Sequence, residues 1–169
     1  MKKYQYLNQI KELLIENNLT LSSAESCTGG LISSYLTDIA GSSAFIFQNF
    51  VTYSNEAKIK FLNVKKETLD NYGAVSEQTA REMILGLLKY TDCAIATTGI
   101  LGPTGGSIEK PIGLVYIGLA CKDKIKIIKY ISKKADTNDR HKIKKDIVKY
   151  AICELCTFLN EVLKWLKQF

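Results

Sequence analysis

The stretch AESCTGG, residues 24–30, sets a carboxylate, two hydroxyls, a thiol and two glycines in seven consecutive positions. It lies between an apolar run and a helical pattern, so it reads as a strand-to-helix turn. Gly29 and Gly30 let backbone approach a ligand closely there. The helix N-terminus behind them offers N–H groups and a positive dipole end, suited to phosphate or a developing oxyanion. A capped turn explains the same residues about as well.

A second polar segment, residues 41–58, reads GSSAFIFQNFVTYSNEAK. Ser42 and Ser43 precede its apolar run; Tyr53, Ser54 and Lys58 follow it. A serine needs a base to become a nucleophile. A desolvated lysine can be that base, and a tyrosine hydroxyl can relay or orient the proton. From residue types alone the plainer alternative is favoured: an N-capped helix, with Ser54 or Asn55 as the cap and Lys58 in solvent. The third segment, TTGILGPTGGSIEKPIG over residues 97–113, holds five glycines and two prolines. It is too long and too glycine-rich for a plain connection, and its N–H groups can wrap a ligand. It has neither the P-loop order nor the dinucleotide G-x-G-x-x-G.

Arg140 opens the last helical pattern after TND. Its guanidinium suits bidentate phosphate binding, and an exposed first-turn charge is the even alternative. His141, the single histidine, reads as a surface residue. No cluster of histidines and carboxylates accompanies it, which weakens any catalytic zinc or Ser-His-Asp reading.

The elements that must position these groups alternate along the chain. Leu7, Ile10, Leu13 and Leu14 recur at helical spacing near the N-terminus. A strand LTLSSA and a helix TGGLISSYLTDIA follow, then a strand FIFQNFVTYS and two short helices, NEAKIKFLN and KETLDNY. Ser76 is the expected N-cap of EQTAREMILGLLKY. CAIATTG is a compact strand and PIGLVYIGLAC an apolar central one, which Lys122 and Asp123 turn directly into KIKIIKYIS. The last helix is expected from Asn138 to Lys167. The pattern predicts a single domain over residues 1–169: an α/β fold, a three-layer α/β/α sandwich with a mixed, mostly parallel sheet and a late β-hairpin.

Composition bounds the rest. At 46% hydrophobic, 169 residues can fill one core. No apolar run reaches membrane-spanning length. Glu12 and Glu16 break the first amphipathic pattern, so it is not a secretory signal, and a cytoplasmic location is expected. Five scattered cysteines argue against a disulfide framework. CELC, residues 153–156, has metal-ligand spacing but reads as two small core residues in a helix. The net charge is +6, and residues 122–149 hold 11 of the 23 lysines and arginines. Nucleic acid, an anionic small substrate and a solvated strand edge all fit that stretch, the strand edge best.

Taken together, AESCTGG, TDIAGSSAFI, FVTYSNEAK, GAVSE, TGILGPTGGSIEKPIGLVYIG and the pair Asp139–Arg140 resemble the C-terminal domain family of the competence/damage-inducible protein CinA. The resemblance covers roughly residues 22–145, and the joint order of its pieces is far more specific than any one of them. It looks like the stand-alone form, without the N-terminal molybdopterin-binding-like domain. The resemblance implies hydrolysis of the carboxamide of nicotinamide mononucleotide to nicotinic acid mononucleotide and ammonia, in pyridine nucleotide salvage. It implies Ser43 as nucleophile, with Ser42 as fallback, Lys58 as base and Tyr53 as hydrogen-bonding partner. Ser26, Thr28, Gly29, Gly30, Gly102, Thr104 and Gly105 would line the pocket, Arg140 would reach the phosphate, and Glu25 would face the cationic ring. Position 104 is often acidic in relatives, so Thr104 departs from the pattern. No cofactor or metal is implied, nicotinamide mononucleotide is the expected partner, and a homodimer or higher homo-oligomer is expected. Cys27 is a rival nucleophile beside a helix N-terminus. The alternative function is a non-catalytic nucleotide-binding module linked to competence or DNA damage; nucleic acid itself is not the expected partner.

Overall fold

The computed structural model describes residues 2–166. The expected helix end at Lys167 lies outside them. Five strands form one sheet: β1 (Leu21–Glu25), β2 (Ile46–Val51), β3 (Cys93–Gly99), β4 (Leu114–Cys121) and β5 (Lys124–Ile131), in the order β2-β1-β3-β4-β5. β1 pairs parallel with β2 and β3, whereas β3–β4 and β4–β5 are antiparallel. The sheet is mixed as expected, but its parallel share is half of the pairings. Lys122, at φ 55°, and Asp123 make the tight turn of the late hairpin.

Helices cover both faces. α1 (Lys2–Glu16), α2 (Leu31–Thr37) and α6 (Arg140–Leu166) lie on one, and α3 (Asn55–Leu62), α4 (Lys66–Tyr72) and α5 (Glu77–Leu87) on the other. Strand alternation sorts the side chains. Leu21, Ile95, Ile117 and Leu119 pack with Leu7, Ile10, Leu14 and the α6 stripe Ile143, Ile147, Ala151, Leu155 and Leu159. The other face is small: Ala24, Ala94, Ala96 and Ala120 meet Leu62, Met83, Ile84 and Leu87. At Gly118 a Cβ would stand 2.6 Å from Ile84 and 3.2 Å from the Ala80 carbonyl. Glycine there lets α5 lie directly on β4. Full burial of one Leu or Ile is worth about 1.5–3 kcal/mol, so the α6 stripe is a major source of stability.

Caps set the helix starts near the site. Ser54 Oγ accepts from Ala57 N at 3.1 Å, and Ser76 Oγ from Thr79 N at 3.1 Å. Asp139 Oδ1 accepts from His141 N at 3.0 Å and Lys142 N at 3.1 Å at the start of α6. Cys93 and Cys121 face each other across β3 and β4 with their sulfurs paired, the one such pair among the described residues.

Candidate active site

β1 and β3 run parallel and end together, and Ser26 N donates to Thr97 O at 3.0 Å one residue past β1. This fixes the Ser26 side chain at the C-terminal ends of the central strands, where open α/β sheets build sites. Because Ser54 caps α3 immediately after β2, Lys58 lies one turn into the helix. Its side chain runs back beneath the strand ends and is only 1% exposed. Nζ donates to Thr52 O at 2.9 Å, to Tyr53 O at 3.2 Å and to Ser26 Oγ at 3.1 Å. None of these partners is a carboxylate. Burial, the largest influence, pushes the Lys58 pKa below its ordinary value, and Cys27 opposes this weakly.

Arg140 closes the site from α6. Its Nη1 donates to Gly102 O at 2.8 Å and its Nη2 to Tyr53 Oη at 3.0 Å. Five segments distant in sequence thus meet around a pocket of about 280 Å³, whose lining includes Ser26, Tyr53, Lys58, Val75, Thr104 and Arg140. Gly102 and Gly105 belong to its glycine-rich wall. The opposite wall, Ala74–Val75, is pinned to β3 by Thr98 Oγ1 donating to Ala74 O at 2.6 Å. Sequence reasoning gave Ala74 and Val75 no role, although GAVSE belonged to the resemblance.

The structure places several of the expected residues away from the Lys58 amine or the pocket lining. Ser43 and Ser42 sit on a 3₁₀ turn, Ser42–Ala44, ahead of β2, while Lys58 follows β2. The six-residue strand between them spans roughly 20 Å. Within one chain Ser43 therefore lies at the opposite end of the sheet from Lys58, and Ser26 is the hydroxyl that meets the amine. Glu25 does not face the pocket. It is fully buried, and its Oε2 accepts from Gly30 N and Ile32 N, both at 3.0 Å. Its Oε1 accepts from Ser33 N at 2.8 Å and Ser33 Oγ at 2.6 Å. The α2 N-terminus anticipated as an anion site is thus occupied by the protein's own carboxylate. Thr28 is buried against Thr97, Oγ1 to Oγ1 2.8 Å, outside the pocket lining. Gly29 and Gly30, at φ 60° and 91°, shape the turn rather than the pocket wall. Tyr53 meets Lys58 through its backbone carbonyl, and its hydroxyl serves Arg140 instead.

Cys27 lines the pocket, but burial pushes its thiol up to about 12, so it is held as the poor nucleophile. Cys156 is buried in α6, where its Sγ donates to Gln9 Oε1 at 3.1 Å. Among the described residues no group of three His, Cys, Asp or Glu side chains is placed to hold a metal. Nor is any helix among them long and apolar enough to cross a membrane. Part of the basic stretch lies along the edge strand β5, with Lys126 paired to Glu154 at 3.2 Å and Lys124 4.3 Å over the Trp165 ring.

Residues 3–159 match the model of the CinA C-terminal domain. The chain is 48% identical over 161 residues to a CinA-like protein of Fusobacterium nucleatum subsp. nucleatum, covering 95% of this chain and 37% of that protein. It is 51% identical over 137 residues to a putative competence-damage inducible protein of Clostridium beijerinckii, covering 80% of this chain and 32% of that one. The chain therefore spans about a third of the length of these curated relatives. Among solved structures, a CinA superfamily protein from Klebsiella pneumoniae superposes with a TM-score of 0.86 at 31% identity, covering 95% of this chain and 99% of that one. The competence/damage inducible protein CihA from Agrobacterium tumefaciens superposes with a TM-score of 0.79 at 42% identity, covering 90% and 96%. A match over most of the residues, with the same fold in solved relatives, establishes that this chain belongs to the CinA C-terminal domain family.

Proposed function

We propose that this chain is a nicotinamide-nucleotide amidohydrolase with Ser26 as nucleophile and Lys58 as its base. One observation carries the reading: a dry lysine amine, without a carboxylate partner, stands 3.1 Å from a serine hydroxyl inside a pocket edged by an arginine. An amine that has lost its proton keeps two N–H donors and one lone pair. The carbonyls of Thr52 and Tyr53 take the donors, which aims the lone pair at Ser26 Oγ.

Lys58 takes the Ser26 proton as Oγ bonds to the carboxamide carbon. Backbone N–H groups of the pocket wall at Gly102, Thr104 and Gly105 would supply donors for the oxyanion. The tetrahedral adduct collapses with cleavage of C–N, and the Lys58 ammonium returns the proton to the departing ammonia. Water, deprotonated by the same amine, then attacks the acyl ester; the acid leaves and Ser26 regains its proton. Arg140 has five N–H donors and uses one each on Gly102 O and Tyr53 Oη, which leaves three for the substrate phosphate.

The experiment is ammonia release by the purified chain from nicotinamide mononucleotide, compared with nicotinamide, its riboside and the dinucleotide. The mononucleotide is expected to be the best substrate, because only it combines the carboxamide with a terminal phosphate in a pocket of about 280 Å³. No release from any of the four would refute the proposal.

A further inference from the structure

α6 starts at Arg140, and its second turn brings another cation to the same side. Lys144 follows Arg140 by four residues, about one turn of helix, so the two side chains leave α6 as neighbours. Arg140 reaches Gly102 O and Tyr53 Oη. Lys144 extends over the turn that follows Ser26: a Cβ at Gly29 would stand 3.5 Å from its Nζ. Gly29 N donates to Ser26 O at 3.1 Å, so this turn is tied to the residue beside the Lys58 amine. A Cβ at Gly30 would in turn lie 3.6 Å from Val51, two residues before Tyr53. The rim therefore runs from Lys144 through Gly29, Gly30 and Val51 to Tyr53 and Arg140.

Like charges four residues apart on a helix repel. Among the described residues neither Arg140 nor Lys144 has a carboxylate within ion-pair distance. Nearby carboxylates are engaged elsewhere. Asp139 caps α6 and pairs with Lys142 at 3.3 Å. Asp146 accepts from Tyr130 Oη at 2.9 Å and Ser132 Oγ at 2.7 Å. Glu25 is closed off beneath α2 by Gly30 N, Ile32 N and Ser33 N. Two unneutralised cations thus flank a rim of neutral backbone, an arrangement that favours a ligand with two negative charges over a ligand with one.

We infer that Arg140 and Lys144 together hold a terminal phosphate as its dianion, with Lys144 reading the charge that a phosphodiester lacks. A phosphate monoester carries about −1.5 to −2 at pH 7. The planar fork of Arg140 takes two oxygens, and the compact ammonium of Lys144 takes the third, which a diester has esterified. Lys144 is then the residue that selects a mononucleotide over a dinucleotide, whose bridging phosphates carry one charge each. The inference deepens the proposed function and rests on its placing of the phosphate at Arg140.

The test titrates ribose 5-phosphate, and separately its methyl phosphodiester, into the full chain at low ionic strength, followed by calorimetry. The unsubstituted chain is expected to bind the monoester at least tenfold more tightly. Lys144→Met and Lys144→Gln should each weaken monoester binding about tenfold and diester binding no more than about twofold, and Lys144→Arg should keep the preference. Lys144 is partly exposed, so circular dichroism should show an unchanged fold in all three. With nicotinamide mononucleotide, Lys144→Met should raise KM about tenfold and keep kcat within about threefold. A wild-type chain that does not distinguish the two esters would overturn the inference. So would a Lys144→Met chain that binds the monoester as tightly as wild type or loses both esters equally. Monoester binding that depends on Lys144 without any ammonia release would refute the amidase reading and leave the phosphate site standing. Ammonia release with an unchanged KM in Lys144→Met would do the reverse.

Discussion

Two lysines stand at opposite ends of the sheet among different partners. Lys58, at the C-terminal ends of β1 and β3, is 1% exposed and bonds Ser26 Oγ, Thr52 O and Tyr53 O. Lys122 lies in the hairpin turn at the other end, where its half-exposed amine pairs with the Asp92 carboxylate. Asp92 in turn accepts from Thr20 N at 2.9 Å and Thr20 Oγ1 at 3.0 Å. The difference is one of surroundings. Lys122 has a carboxylate partner and a half-exposed amine; burial among uncharged partners pushes the Lys58 pKa down and favours its free amine. The same residue type is a structural clasp in one place and, in the proposed reaction, a base in the other, and its neighbours decide which.

Exchanging these amines for apolar groups gives the largest contrast. Lys58→Met should lower kcat for ammonia release by about a thousandfold or more, since the nucleophile loses its base. Lys58→Arg should not restore it, because a guanidinium keeps its proton. Lys122→Met should leave kcat/KM within about threefold, removing only a surface pair.

Next is phosphate binding. Arg140→Ala should raise KM by roughly ten- to a hundredfold with little change in kcat, and Tyr53→Phe should do the same more weakly through loss of the hydroxyl that orients Arg140. Initial-rate kinetics over a wide substrate range separates the two constants.

The pH dependence sharpens the contrast further. In the proposed reaction Lys58 acts only when neutral, so kcat/KM should rise with pH through a value below the ordinary lysine range. Folding then releases a proton between the lowered folded pKa and the unfolded one. Stability contributed at this site should accordingly rise with pH in that window, and Lys58→Met should abolish the slope in urea titrations. Asp92 behaves in the opposite sense at the other end. Burial raises its pKa, but the bonds from Lys122 and Thr20 prevail and leave it below the usual carboxylate value. Its stabilisation should be present at neutral pH and fade as acid protonates it. Asp92→Asn should therefore cost about 1 kcal/mol in urea denaturation near pH 7, the smallest effect predicted here, and nothing measurable once the wild-type carboxylate is protonated.

Much of this arrangement was legible in residue order. CAIATTG coincides with β3, Ser76 caps α5, and Lys122–Asp123 turn β4 into β5. The joint motifs carry the family resemblance by themselves. What the sequence hid was direction. Ser43 and Lys58 flank FIFQNFVTYS, and a strand between two residues separates them by its own length, so their closeness along the chain was misleading. Glu25 and Ser26 are adjacent, yet one side chain turns under α2 and the other into the pocket, as strand alternation requires. Residue type also says nothing of burial: Lys58 reads as a solvated helix lysine until β2, α3 and the 26–28 turn are packed around it.

The most direct test of the central claim is the rate of ammonia release from nicotinamide mononucleotide by a folded Ser26→Ala variant, set beside the wild-type chain. The account predicts a loss of about a thousandfold or more in kcat. A Ser26→Ala variant that turns over at the wild-type rate would contradict it.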